Sequence, residues 1–266
     1  MKKIVLTLIL LILSSGLYAQ LYHPGEELYY MVSYRAKLFP NTEVASVTVK
    51  TTTEQLDGRP VYKVFGYGKT LPAYRWFFPI NDAYSIWIDP VSLQTQRFEA
   101  DIHEGNYTFN SIYRYDWEKM EIYTSWRKRQ DTKDNTMTQS LRKESMDAVS
   151  LFFHMRSARS DQFQVGEQRE LQMVLEDTIR TLKYRFIGRE EKKIRNYGLF
   201  RTLKFACELG TSDGFSFTDG TEFTIWISDD ENKIPLYLES PIRIGSINAY
   251  IVKTKGLKYP LSSKIK

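Results

Sequence analysis

A two-residue period governs this chain. In Glu222–Ser228, Phe223, Ile225 and Ile227 alternate with Thr224, Trp226 and Ser228, and Ile234, Leu236 and Leu238 resume the rhythm after Asp229-Asp230-Glu231-Asn232-Lys233. Successive side chains of an extended strand point to opposite faces, so a run that is apolar at every second position reads as a strand half buried against a core. The same Ile-Trp-Ile core occurs at Ile86-Trp87-Ile88, ahead of the turn Asp89-Pro90-Val91-Ser92-Leu93. Strand-like runs also cover 27–36, 43–53, 61–67, 93–102, 107–116 and 120–127, then 168–176, 180–190, 198–208 and 244–253. Turn residues separate them: Phe39-Pro40-Asn41-Thr42, Asp57-Gly58-Arg59-Pro60 and His103-Glu104-Gly105-Asn106 supply the fixed φ of proline and the tolerance of Gly and Asn for tight reversals. Residues 128–135 are charged and turn-rich, a surface loop.

One segment departs from this rhythm. Over 145–159, Ala148, Leu151, Phe152 and Met155 recur at helical spacing, Val149 and Phe153 widen the stripe, Ser145 is placed to cap, and Asp147 suits the positive end. Arg156 falls at the edge of the apolar stripe, whereas Ser150 and His154 fall opposite it, and His154 is expected in solvent. The predicted fold is therefore all-β dominated. It is a curved antiparallel meander sheet or half-barrel of two similar β halves, about 20–144 and 161–266, in a single domain over 20–266 bridged by the helix 145–159. Gly25-Glu26 and Gly166-Glu167 each precede an Ile-Trp-Ile run, and Gly105 and Gly245 follow them, a spacing that points to an internal repeat. If the repeat is real, Trp87 and Trp226 occupy related positions.

The N-terminus bears on compartment. Met1-Lys2-Lys3, the apolar run Ile4–Leu13 and the small-residue end at Ala19 form a secretory signal pattern over 1–19, too short to span a bilayer. The expectation is an exported protein, periplasmic or extracellular, with no transmembrane span after cleavage. Cys207 is the single cysteine, so no lipid-anchor cysteine stands at the cleavage site and no internal disulfide can form; a free thiol in a strand is usually a small buried hydrophobe. Of 37 basic residues, Lys2 and Lys3 leave with the signal, giving 35 against 32 acids, too mild a balance for nucleic-acid binding.

Motifs for chemistry are sparse. Asp229-Asp230-Glu231 lacks the alternating ligand spacing of a calcium loop, Ser212-Asp213-Gly214 and Thr218-Asp219-Gly220 are ordinary turns, and His23, His103 and His154 give no zinc spacing, so neither metal nor cofactor is expected. Leu71–Ile80 gathers Pro72, Tyr74, Trp76, Phe77, Phe78 and Pro79 into an aromatic knot, which either closes the open end of the sheet or forms the rim of a cavity or a contact patch.

Three stretches together resemble a known family: Asn196–Phe205; Trp226-Ile227-Ser228-Asp229-Asp230 with Lys233-Ile234-Pro235; and Ile244-Gly245-Ser246-Ile247-Asn248-Ala249. Along with Gly25-Glu26-Glu27-Leu28-Tyr29-Tyr30, Asp82, Tyr84, Asp89 and the helix from Asp147 to Arg156, they resemble the exported bacterial family called domain of unknown function 3108. The resemblance implies a curved antiparallel sheet like other envelope half-barrels and brings no activity or catalytic residue. Three functions follow. The first is a non-catalytic binding or assembly protein for an apolar or saccharide ligand (a lipid or glycan) or an envelope protein partner, with Trp226, Trp87, Trp76 and Arg156 as contacts. The second is a hydrolase of envelope polymers using Asp82, Asp89, Asp229 and Asp230. The third is a purely structural partner protein.

Overall fold

In a computed structural model, which describes residues 22–36, 39–157, 163–175, 178–209, 222–242 and 245–266, the alternating runs are strands of one sheet. The leader at 1–19, residues 158–159 of the expected helix and the turns at 212–214 and 218–220 lie outside the described residues. The first arm is a meander of β1 (Glu27–Ala36), β2 (Phe39–Leu56), β3 (Arg59–Thr70), β4 (Asn81–Ile88), β5 (Thr95–Glu104), β6 (Tyr107–Asp116), β7 (Glu121–Lys128) and β8 (Asn135–Ser140). A short β9 (Ser145–Met146) and the helix α1 (Ala148–Ser157) follow. The second arm contains β10 (Gln168–Leu175), β11 (Thr178–Ile194), β12 (Gly198–Leu209), β13 (Glu222–Ser228), β14 (Pro235–Pro241) and β15 (Ser246–Lys255).

Each arm pairs neighbour to neighbour, and β1 pairs antiparallel with β15, so the two arms form one 15-stranded sheet with β8 and β9 at its edges. Among the described strands, only β9 and β10 pair in parallel. Fifteen strands laid flat would span about 67 Å, yet Ser140 and Ser145 are five residues apart and so within about 18 Å. The sheet must therefore curl until its edges approach.

The arms repeat one another contact by contact. Gly25 N–H donates to Thr51 and Thr51 N–H to Glu26 (2.8 and 3.0 Å); Gly166 N–H donates to Phe186 and Phe186 N–H to Glu167 (2.9 and 3.3 Å). Both glycines have positive φ, 94° and 86°, which a β-carbon would strain. The strand after each Ile-Trp-Ile run carries a register shift directly past the tryptophan, and Asp89 N–H to Gln94 O mirrors Ser228 N–H to Ile234 O. Strands β1–β6 and β10–β15 are thus laid out alike.

Three points of the sequence reading change. The first reversal is not at 39–42: Phe39 already pairs with Ala36, and β2 runs through Pro40, because the ladder with β1 outweighs local turn preference. The strand β8 was invisible because Asn135–Ser140 has no apolar alternation; it is an edge strand exposed at every second residue. The helix begins at Ala148 and is capped by Asp147, whose Oδ1 accepts from Val149 N–H and Ser150 N–H (2.9 and 2.8 Å), while Ser145 is taken up in β9.

Nor is α1 apolar on one stripe only. It lies against the sheet with Phe153 in the cluster of Val64, Ile86, Ile88, Phe98 and Ile122, Met155 in that of Leu171, Leu203, Phe205 and Ile227, and Phe152 reaching a third around Leu28, Tyr30, Phe200 and Ile251. Three clusters wrap the helix and only Ala148, at its first turn, is exposed among its described positions, so Ser150 is buried and His154 half-buried, its imidazole pushed below its ordinary range by desolvation.

Candidate ligand-binding site

The two indoles expected to correspond do so in detail. Trp87 stands opposite Lys63 on β3; Glu54, diagonal on β2, accepts its Nε1–H at 3.1 Å and pairs with Lys63 at 3.0 Å. Trp226 stands opposite Lys204 on β12; Glu190 on β11 accepts its Nε1–H at 2.5 Å and pairs with Lys204 at 3.4 Å. Each ring also takes cations on its face, Lys63 at 4.9 Å in one case, and Lys192 at 3.6 Å and Lys204 at 5.1 Å in the other. Both indoles are buried with their single donor satisfied, which makes them wall girders and leaves no free group for a ligand. Sequence reasoning found the tryptophans and missed Glu54 and Glu190, which lie 33 and 36 residues away from them.

Lys192 fastens a further element. Beyond a bulge at Gly188, the hairpin β11–β12 brings Lys192 between Trp226 and Tyr237, the latter at 4.2 Å. Arg195 reaches Glu43 (3.5 Å), Tyr197 OH meets Thr254 Oγ1 (2.9 Å), and the C-terminal Ser263–Lys266 bonds along Leu199–Arg201. Burial holds the Lys192 ammonium below the ordinary lysine range.

Arg156 is 7% exposed and fully engaged. Its Nη1 and Nη2 donate to the two oxygens of Glu26 at 2.5 and 2.9 Å, and its Nε donates to the Asn232 carbonyl at 3.1 Å. The guanidinium therefore ties α1 to the start of β1 and to the β13–β14 turn, and every edge of its planar fork is spoken for.

Trp76 is placed quite differently. The Pro72–Tyr74 turn of 3-10 helix opens a loop on which Trp76 is 82% and Phe77 77% exposed, with Phe78 half out. The knot therefore does not close the sheet. Its backbone is fixed: Thr70 Oγ1 donates to Phe78 O and accepts from Ile80 N–H, and Gly105 N–H donates to Pro79 O (2.8, 2.9 and 2.7 Å).

This loop borders the part of the helix-bearing face that α1 leaves uncovered. Ile225, Leu238, Ala249, Val32 and Ala45 stand side by side on β13, β14, β15, β1 and β2, and Ala45 pairs with Thr70, from which the aromatic loop departs. Alternation puts them on the face of Leu28 and Tyr30, and the Tyr30–Phe152 contact at 6.2 Å marks where the helix ends its cover. Val32, Leu238 and Ala249, with Ile247 one row further out, are half-buried and belong to none of the three packed clusters, whereas Leu28, Ile86 and Phe153 at the helix end are wholly buried. Among the described residues, the face is plugged at one end and presents a half-buried apolar floor at the other. The alternation marked Val32 and Leu238 as inward-facing; only the helix position shows that they are uncovered.

The four acids named for hydrolysis are turn and ladder elements. Asp89 Oδ1 accepts from Val91 N–H and Ser92 N–H, Asp230 Oδ1 from Asn232 N–H and Lys233 N–H, and Asp230 Oδ2 from Ser263, while Asp229 pairs with Arg189 (3.2 Å). Asp82 is buried at the other end of β4, its carboxyl pushed up by desolvation and accepting from His103 N–H at 2.9 Å. Seven residues of extended chain put it about 23 Å from Asp89, well beyond the reach of a glycosidase pair. Cys207 is buried, and desolvation pushes its thiol up to about 12, away from any nucleophilic role. On the opposite face of β4–β7 lies an open groove of about 550 Å³ lined by Ser85, Glu99, Asp101, Asn110 and Arg127. Its charges pair locally: Asp101 with His103 and Asn110, Arg127 with Asp134.

Comparison with known proteins gives a family and a fold. A family described as "Protein of unknown function (DUF3108)" matches residues 29–252. Among curated proteins there is no match. A solved beta-barrel-like protein of the domain of unknown function DUF1849 from Brucella abortus is similar with a TM-score of 0.55 at 9% identity, covering 88% of this chain and 98% of that one. A protein described as a "putative lipoprotein" from Parabacteroides distasonis covers the same shares at 10% identity, with a TM-score of 0.34. The first likeness bears on the curved, barrel-like sheet alone. No helix among the described residues is long and apolar enough to cross a membrane.

Proposed function

Because the chain belongs to the DUF3108 family, whose description assigns no activity, we propose from its own geometry that it is a non-catalytic binding protein of the cell envelope, holding an apolar ligand on the uncovered end of its curved sheet. The observation that carries this reading is the row Leu238–Ala249–Val32 with Ile247: apolar, inward-facing, contiguous across three strands, and packed by none of the core clusters. An apolar floor left half wet favours an apolar occupant, because covering it gains roughly 25 cal/mol for each Å² removed from water. A glycan would need free donors and acceptors, and in the outer groove Asp101, Asn110 and Arg127 are already engaged with neighbouring side chains. The N-terminal signal pattern supports export.

The test is direct. Protein recovered from its native host, extracted with organic solvent and examined by mass spectrometry, is expected to release a lipid-like molecule, and the emptied protein to bind 11-(dansylamino)undecanoate. Val32→Arg and Leu238→Arg are expected to abolish that binding with little change in unfolding temperature. A protein that yields no apolar molecule and leaves the probe unbound refutes the proposal.

A further inference from the structure

The Pro72–Pro79 loop is a convex knob, and three features fit it for an interface between water and hydrocarbon. Its aromatic side chains are the most exposed in the described chain, Trp76 and Phe77 packing edge to face at 5.8 Å. Four of its donors are met within the loop: Trp76 Nε1–H donates to Ala73 O at 2.9 Å, Tyr74 N–H to Leu71 O, and Phe77 and Phe78 N–H both to Tyr74 O. Entering an apolar medium would therefore leave the indole N–H and these three backbone donors paired, which lowers the usual cost of such a transfer.

Its surroundings are basic. Arg75 within the loop, Lys69 at its base and Arg129 beside it are all exposed, the last donating to the carbonyl of Asn106, whose neighbour Gly105 bonds Pro79. Of the nearby acids, Asp101 is paired with the His103 imidazole at 2.9 Å, Glu104 is half-buried, and Asp131 accepts from Lys128 N–H and Asn135 Nδ2. A knob of Trp and Phe ringed by cations matches an anionic bilayer surface, where aromatic rings settle at headgroup level and each nearby cation strengthens binding about five-fold.

We infer that Trp76, Phe77 and Phe78 insert into the surface of an anionic lipid bilayer, with Lys69, Arg75 and Arg129 against its headgroups. A protein pocket would require a concave mate of matched shape, whereas a bilayer accepts a convex apolar tip of any outline. The loop stands at the uncovered end of the sheet, so docking there would bring the apolar floor to face the membrane. That consequence rests on the function proposed above; the docking does not.

Flotation of the whole protein with vesicles of pure phosphatidylcholine, and with vesicles containing one third phosphatidylglycerol, tests this. The expected result is binding to the anionic vesicles that weakens with salt, with a blue shift of tryptophan emission. The combined Trp76→Ala, Phe77→Ala, Phe78→Ala variant is expected to lose at least ten-fold in binding, and Lys69→Glu with Arg75→Glu a similar factor, at unchanged far-ultraviolet circular dichroism. Equal binding to both vesicle types, an unaffected triple variant, or a self-association abolished by the triple variant would overturn the inference, the last by assigning the knob to a second copy. Retention of dansylundecanoate by the triple variant separates failure of the docking from failure of the ligand proposal.

Discussion

Replacing Arg156 with methionine puts the central tie of the fold to a quantitative test. The Arg156 and Glu26 side chains are 5% and 2% exposed, and the two-pronged pair is supplemented by the bond to Asn232 O. Taking both groups out of water is costly, and the pair is tolerated because each charge meets the other in good geometry. Arg156→Met keeps most of the buried stem volume and leaves the Glu26 carboxylate uncompensated, so the expected loss is about 3–5 kcal/mol. Glu26→Gln removes the charge and retains one acceptor, for an expected loss of about 2–3 kcal/mol. The double variant Glu26→Leu with Arg156→Met removes both buried charges and is expected to recover to within about 2 kcal/mol of the parent. Urea unfolding followed by far-ultraviolet circular dichroism measures all three, and for a chain of this size the Arg156→Met loss corresponds to a Tm lower by about 6–20 °C. Single losses below about 1 kcal/mol, or single losses that simply add in the double variant, would refute the argument that this pair joins α1 to β1.

Asp147, wholly buried and held above the ordinary carboxyl range by desolvation, binds its proton more tightly folded than unfolded, so its ionisation costs stability as pH rises through the unfolded value near 4 and until the folded value is passed. Asp147→Asn keeps the cap, so the stability of wild type relative to this variant is expected to be greater at pH 3 than at pH 7, whereas Asp147→Ala is expected to lose about 2–4 kcal/mol through the lost cap and the lost acceptor of the buried Tyr115, Thr95 and Ser150 hydroxyls; chemical denaturation at the two pH values checks both. The like layout of the tryptophan stations predicts that Trp87→Phe and Trp226→Phe each cost about 1 kcal/mol for the lost indole–carboxylate bond, discounted because Glu54 and Glu190 are about 40% exposed. Urea titrations showing a several-fold larger loss at one station than at the other would contradict the correspondence.

The strands were legible because alternation is a local property. Ile225 and Ile227 must face one way and Trp226 the other, whatever the sheet does beyond them, and the helix showed itself by the change of period at Ala148. The two Ile-Trp-Ile runs and the two Gly-Glu pairs also disclosed the repeat, because like sequence makes like turns. Where local chemistry competed with the ladder it misled: Pro40 and Asn41 read as a turn and sit in a strand, and Ser145 read as a cap and sits in β9.

By itself, then, the sequence determined the all-β class, the family and the inward or outward sense of most side chains, since these follow from residue spacing along a single strand. Tertiary structure alone decided that the two arms meet through β1 and β15, that Arg156 closes on Glu26 130 residues away, that Trp87 and Trp226 brace the wall while Trp76 stands in solvent, and that the helix covers one end of the sheet and leaves Val32, Ala249 and Leu238 only half-buried at the other. The reason is physical: burial depends on which distant segment lies on top, and a residue's spacing carries no record of that segment.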